Sequence, residues 1–360
     1  MRIFLSADLV GSTEFKTTVG KDRLDSTPHP RWVQEIKQFY VQFPSIYSDK
    51  YSAQRPALKL LDEELCPQLW KTIGDEIIFC GRVLNLQHFT GCLMAFLQAL
   101  EEYGRLLESS GHYLDIKGTA WIACFPYPNT TVPVASGQDA GKLDDLYGED
   151  VEAQADKNPR QFDFLGRDID VGFRVSKHAA ASRLALSGEA AFLLCEAANE
   201  KLFMEKFVYS GRDAMKGVMR GKPYPIISID TERSRKQREI IELERRLTNK
   251  IGAEPSTLGE FIRRLFEEEK IELPVLPQRG ANPDKTQYPD GYRDFVQLWE
   301  NATTEVENRE KVEESAANAN GSDEDRSIAQ TIEDQIAKLV AASSKSGSES
   351  PSDQQSVTTD

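Results

Sequence analysis

Two carboxylates stand where chemistry is possible. Asp8 closes the apolar run Arg2–Ala7 and is followed by Leu9-Val10-Gly11-Ser12-Thr13. Asp75 follows Gly74 between two short β-type runs in residues 68–83, a pattern that predicts a hairpin with a tight turn. A carboxylate at the end of a buried strand is costly unless something positive satisfies it. Each Asp alone reads as well as a helix N-cap or a turn residue. Two of them on neighbouring strand ends would make an oxygen-rich site suited to Mg²⁺ or Mn²⁺. Such a site polarises a phosphate and activates a hydroxyl nucleophile. The N–H groups of Gly11-Ser12-Thr13 could cradle a phosphate, although that tripeptide also serves as an ordinary turn.

A third segment, Phe162–Arg174, holds three Asp and two Arg in 13 residues. On a helix Asp170 and Arg174 share a face. As a bare surface pair they would contribute only about 0.3–0.5 kcal/mol. Other chemistries are excluded by pattern. No Walker A motif occurs, and no GxGxxG follows the first strand. An aspartyl nucleophile of the phosphatase kind needs a second Asp two residues on, and position 10 is Val.

The elements that must position these residues follow from periodicity. Residues 2–8 predict a buried first strand rather than a signal peptide. Residues 31–43 predict a helix, 88–110 a second one with a single apolar face, and 113–125 a strand. Residues 126–160, rich in Pro, Gly and Asp, predict an inserted loop. Residues 162–187 predict an extended piece, a helix and a strand at Leu184–Leu186; 188–200 predict a helix and 223–230 a last strand. A hairpin interrupting the alternation favours a ferredoxin-like α+β sheet over a doubly wound one. Beyond 230 the pattern is helical, with a stripe of Ile240, Leu243, Leu247 and Ile251. Thr257-x-x-Glu260 reads as a capping box.

The chain has 360 residues, 39% of them hydrophobic, enough for a real core. Net charge is −14, which disfavours duplex DNA and anionic membrane as partners. Residues 300–360 carry 14 acidic and 5 basic side chains and predict a mostly disordered tail. Within it, Ile328, Ile332, Ile336, Leu339 and Val340 could form one short helix. No apolar stretch is long enough to span a membrane. Five scattered cysteines without a CxxC pair predict reduced thiols and a cytoplasmic setting. Four histidines, none at i,i+4 from another, argue against a histidine metal site.

Taken together, four segments resemble the class III nucleotidyl cyclases, the adenylate and guanylate cyclase family. They are Ala7-Asp8-Leu9-Val10-Gly11-Ser12-Thr13, Lys71-Thr72-Ile73-Gly74-Asp75, the Asp163…Gly166…Arg174 stretch, and Arg220-Gly221-Lys222 before the last strand. Their order and spacing agree across residues 2–230. The resemblance implies a cyclase catalytic domain over 1–230, a helical extension over 231–300 and the tail over 301–360. It implies that Asp8 and Asp75, with the Leu9 carbonyl, bind two divalent ions, Mn²⁺ or Mg²⁺. Arg174 would stabilise charge on the α-phosphoryl group, and Arg220 or Lys222 would hold the terminal phosphates. Lys71 and Asp163 fall on the base-reading positions. The site would form between two protomers of a homodimer. Asp8 and Asp75 would come from one, Lys71, Asp163 and Arg174 from the other.

The sequence departs from that pattern. Asp170 replaces the ribose-orienting Asn, and Gly172-Phe173 replaces Ala-Ser. Lys71 and Asp163 offer one donor and one acceptor, which suit adenine, uracil or cytosine alike. The whole pattern looks closest to the bacterial pyrimidine cyclases of Pycsar anti-phage systems. These make cyclic UMP or cyclic CMP for a separate effector. Phe39, Tyr40, Tyr47 and Tyr51 are aromatics that could shorten a base pocket for a single ring, or simply pack the core. On this reading the substrate is UTP. The alternatives are CTP, a purine triphosphate, or a non-catalytic nucleotide-binding module.

Overall fold

The computed structural model describes residues 1–18, 28–111, 113–134, 149–247, 252–277, 279, 291–302, 304 and 311. The chain divides into two units, Met1–Phe295 and Val296–Asp360. In the second, the described residues 296–302, 304 and 311 are helical. The Ile328–Val340 island and Ile251 lie outside the described residues. No helix among the described residues is long and apolar enough to cross a membrane.

The first unit is built on a mixed seven-stranded sheet. β1 (Arg2–Val10) lies between β3 (Glu76–Arg82) and β4 (Asp115–Ala123), antiparallel to both. β2 (Gln68–Ile73) completes the predicted hairpin with β3. β7 (Arg183–Leu186) runs parallel to β4. It is followed outward by β9 (Pro223–Asp230) and the edge strand β8 (Phe207–Ala214). A small second sheet pairs β5 (Thr130–Pro133) with β6 (Phe162–Leu165). The α+β class predicted from the sequence is the class observed.

Alternation along β1 builds two cores. Ile3, Leu5, Ala7 and Leu9 join the main one, with α2 (Arg31–Leu58), α3 (Leu86–Ser109) and α6 (Gly188–Asn199). Phe4 points the other way, among Trp70, Ile78, Trp121, Phe162 and Phe164. That second face is roofed by β6 and by α4 (Glu149–Lys157). α3 is capped by Asn85, whose side chain accepts from the His88 N–H at 2.9 Å.

Several predicted elements change. The helix expected to stop at Phe43 runs on to Leu58 through Pro44 and Pro56. An interior proline costs about 3 kcal/mol. Burying a large apolar side chain contributes roughly 2 kcal/mol. Phe39, Phe43, Tyr47 and Tyr51, at i+4 spacing, are all buried, so packing holds the helix across both prolines. The expected loop at 126–160 contains β5 and α4, with residues 135–148 outside the described set. The capping box is not formed. α8 (Pro255–Glu268) starts on Pro255, so Thr257 lies inside its first turn. β8 was not expected. α8 packs on α6, with Phe266 against Gly188 and Gly259 against Cys195. α7 (Arg235–Leu247) leaves Ile240, Leu243 and Leu247 exposed.

Candidate active site

Asp8 lies near the end of β1, on the face that carries Phe4 and Ser6. It pairs in register with Glu76 of β3 on one side and Lys117 of β4 on the other. The three side chains therefore line one rung on one face. Lys117 Nζ lies 3.1 Å from Asp8 Oδ2, and both side chains are about 30% exposed (29% and 30%). Burial pushes the Asp8 carboxyl above its ordinary range. The Lys117 hydrogen bond and charge oppose that rise, and the Asp75 charge adds to it. Glu76 is likewise raised by burial, while the Ser6 hydroxyl donates to it and pulls it back.

Asp75 is carried to Asp8 by the hairpin turn. The Leu9 N–H donates to the Asp75 carbonyl at 3.2 Å, so the turn is stitched to the end of β1. The Ser12 hydroxyl donates to Asp75 Oδ2, and Lys16 Nζ stands 3.4 Å from Oδ1. Ser12 and Lys16 belong to α1 (Ser12–Thr17). The chain enters α1 through Gly11 at φ +83°, where a Cβ would sit 2.8 Å from the Tyr113 carbonyl oxygen. Only glycine fits there. Tyr40 of α2 donates its hydroxyl to the Gly74 carbonyl and ties the turn from behind.

Lys71 and Asp163 also meet. Lys71 Nζ lies 2.6 Å from Asp163 Oδ1 and 4.5 Å from the Trp70 ring centroid. The Trp70 indole N–H donates to the Phe162 carbonyl at 2.9 Å, locking β2 to β6. Lys71 pairs with Ile78, so it shares the face of Asp8, two strands and one rung away. α5 (Arg167–Val175) lies on Trp121: a Cβ on Gly172 would sit 2.3 Å from that indole. Phe173 packs on the same ring, centroids 5.6 Å apart. Gly172 and Phe173, unusual for the family resembled, thus answer Trp121. Asp170 is exposed. Arg174 is half-exposed and makes no ion pair with another described residue.

Arg220 and Lys222 are not brought to the carboxylates. The register of β4, β7 and β9 puts Asp230 at the level of Lys117 and Pro223 at the opposite end of the sheet. Both basic residues precede Pro223, and Lys222 pairs with Glu269 at 2.8 Å. Of the four aromatics expected either to shorten a base pocket or to pack the core, Phe39, Tyr47 and Tyr51 pack the main core, and Tyr40 packs against it and serves the Asp75 turn. Sequence reasoning missed Lys117 and Glu76. The available signals were a lone Lys between Ile116 and Trp121, and a second acid directly after Asp75.

Among the described residues no three or more His, Cys, Asp or Glu side chains are arranged to hold a metal ion. Asp8, Asp75 and the Leu9 carbonyl therefore do not form an all-protein cage. They do fit a hard cation of the Mg²⁺ kind. Such ions use one or two carboxylates and take their remaining ligands from phosphate and water.

No protein-family model and no curated protein matches the sequence. Solved structures do resemble the chain. One is the adenylyl cyclase CyaB from P. aeruginosa, at 12% identity and TM-score 0.39, covering 64% of this chain and 95% of the other. Another is the catalytic core of a rhodopsin-guanylyl cyclase with converted specificity, in complex with ATPalphaS, at 12% and 0.39, covering 64% and 95%. A third is the guanylate cyclase domain of RhGC from Catenaria anguillulae in complex with GTP, at 12% and 0.36, covering 64% and 97%. At these scores the likeness carries no weight for the site, whose reading rests on the sheet order and the side chains themselves.

Proposed function

We propose that this chain is a nucleotidyl cyclase that converts UTP to 3′,5′-cyclic UMP and pyrophosphate, as an antiviral second messenger read by a separate effector. The observation that carries the reaction class is the delivery of Asp75 to Asp8 by the Leu9–Asp75 backbone bond, on an open sheet end beside two lysines. Divalent ions bound to triphosphate there would lower the pKa of the ribose 3′-OH and neutralise the phosphates. Asp8 and Asp75 hold that assembly, and Ser12 fixes the Asp75 rotamer. The 3′-oxygen attacks the α-phosphorus, and Arg174, free of competing partners among the described residues, meets the charge that develops on the phosphoryl oxygens. Lys71 and Asp163 part from each other to read the base. Arg220 and Lys222 hold the leaving pyrophosphate.

In this reading the site is composite in a homodimer, Asp8 and Asp75 coming from one copy and Lys71, Asp163 and Arg174 from the other. The distance of Arg220 and Lys222 from Asp8 along the sheet is in keeping with their reaching the phosphates from another copy too. The choice of uracil rests on the resemblance to the pyrimidine cyclases, since the Lys71–Asp163 pair accepts cytosine and adenine equally. Incubation with Mn²⁺ and each of ATP, GTP, CTP and UTP in turn, read by mass spectrometry, tests it. Cyclic UMP alone is expected, and none from Asp75→Ala. Cyclic CMP or a cyclic purine nucleotide would replace the substrate. No cyclic product from any of the four would leave a nucleotide-binding module. Mixing Asp75→Ala with Arg174→Ala should restore activity, because each heterodimer then holds one intact site. Two dead variants that stay dead together would refute the composite site.

A further inference from the structure

The rung Glu76–Asp8–Lys117 carries a consequence for how the carboxylates wait for their cation. In this arrangement Asp8 is compensated by one contact, Lys117 Nζ at 3.1 Å, and Asp75 by Lys16 at 3.4 Å and the Ser12 hydroxyl. We propose that Lys117 is a displaceable counter-ion of the Asp8 carboxylate. It occupies the place of a divalent cation and must leave before one binds. This rests on the reading of Asp8 and Asp75 as metal-holding groups.

Three features support displacement rather than a fixed structural pair. Lys117 reaches Asp8 through a single contact, on a side chain that is 29% exposed, so it has solvent to move into. Lysine is a point charge on a flexible stem and is not held by a bidentate fork. Lys117 also has a second acid on its rung: Glu76 lies on the far side of Asp8, close enough for its carboxyl to feel the Lys117 charge. A lysine released by an incoming cation therefore keeps an acidic neighbour. Buried arginine at the other end of the same strand is different. Arg2 is held by both Glu152 and Asp156 with only 4% of its side chain exposed. A fixed pair in this fold is built that way.

The consequence is a competition between a monovalent and a divalent cation for one carboxylate. Lys117→Met keeps the length and apolar stem and removes the charge. A unit charge within a few ångströms of a divalent ion in near-aqueous surroundings opposes its binding by about tenfold. The experiment titrates the full chain with Mn²⁺ alone, without nucleotide, and reads free Mn²⁺ by electron paramagnetic resonance. Lys117→Met should bind Mn²⁺ about tenfold more tightly than the parent, and Lys117→Arg, which keeps the charge, within about twofold of it. Circular dichroism confirms that each variant is folded. Asp75→Asn should abolish the site in both the parent and the Lys117→Met background.

Equal or weaker Mn²⁺ binding by folded Lys117→Met, with Asp75→Asn still abolishing it, would overturn the counter-ion role and leave the metal site standing. Binding that ignores Asp75→Asn in both backgrounds would overturn the metal site and the counter-ion together. No saturable binding by either the parent or Lys117→Met would overturn the counter-ion role, since removing the lysine then opens no place for a cation.

Discussion

The two ends of β1 treat charge in opposite ways. At the Arg2 end, the guanidinium is buried, held by Glu152 and Asp156 of α4, and lies 5.2 Å from the centroids of both Phe125 and Phe164. Nearby on that end, Asp168 accepts from the Asn129 amide at 2.8 Å and from Arg167 at 3.1 Å. At the Asp8 end, by contrast, half-buried carboxylates rest on single lysines at 3.1 and 3.4 Å. One end holds its buried charge with two carboxylates under a roof, although Glu152 Oε1 has no hydrogen-bond partner. The other holds each carboxylate with one half-exposed lysine. A buried, multiply held charge serves architecture, whereas a singly held one at the surface leaves room for a ligand.

Mutation should separate the two ends by what is lost. The largest effect is expected at the open end. Asp75→Ala should lower cyclase turnover by at least about a hundredfold, since removing a group that aligns the reacting charges costs that much. Its denaturation midpoint should fall by less than that of Arg2→Met, because Lys16 is 29% exposed and keeps its water, and only the buried Ser12 hydroxyl loses its acceptor. Arg2→Met should do the reverse. It strands Glu152 and Asp156, and breaking a buried pair costs about 3–5 kcal/mol. Urea unfolding followed by circular dichroism reads the loss, with turnover per folded molecule unchanged. An Asp75→Ala variant as unstable as Arg2→Met would dissolve the distinction.

A third variant probes the link between the ends. Gly172 lets α5 lie on Trp121, and α5 carries Asp168 at its start and Arg174 at its end. Gly172→Ala forces a methyl into that contact, and overpacking of this kind costs about 1–3 kcal/mol. Because the helix must lift, turnover should fall along with the denaturation midpoint. A Gly172→Ala protein with lowered stability and parental turnover would show that Arg174 does not depend on this seat.

How much of this was readable in advance differs by the range of the interactions. β1, the hairpin carrying Asp75 and the amphipathic α3 show in local periodicity and turn chemistry. The pairing of Lys71 with Asp163 was suggested only by resemblance, since 92 residues separate them. The apolar spacing over residues 31–43 predicts only the first half of α2; the burial of Tyr47 and Tyr51 that carries the helix past Pro44 is tertiary. Thr257 and Glu260 form a capping-box string with no means of knowing that Pro255 already begins the helix. Lys117 was invisible for a similar reason. A lysine in a strand announces nothing until the register sets it beside Asp8.

The smallest effect sharpens the closed end and concerns Glu189, in the first turn of α6. Tyr224 donates its hydroxyl to Glu189 Oε2 at 3.1 Å. Burial first, then the charge of Asp168, raises the Glu189 carboxyl above its ordinary 4.5, against the pull of Tyr224 and Arg167. A carboxyl that is raised in the folded state favours folding while protonated. Its contribution is full below 4.5 and is lost as pH climbs through the folded value. Glu189→Gln keeps an oxygen for Tyr224 and removes the ionisation. The variant should match the parent near pH 4 and exceed it at pH 7.5 by about 1 kcal/mol or less, roughly 2 °C in Tm. Thermal unfolding at the two pH values reads the difference. A gap that is the same at both, or that opens on the acid side, would mean that this end is less completely satisfied than its hydrogen bonds indicate, and the contrast with Asp8 would narrow.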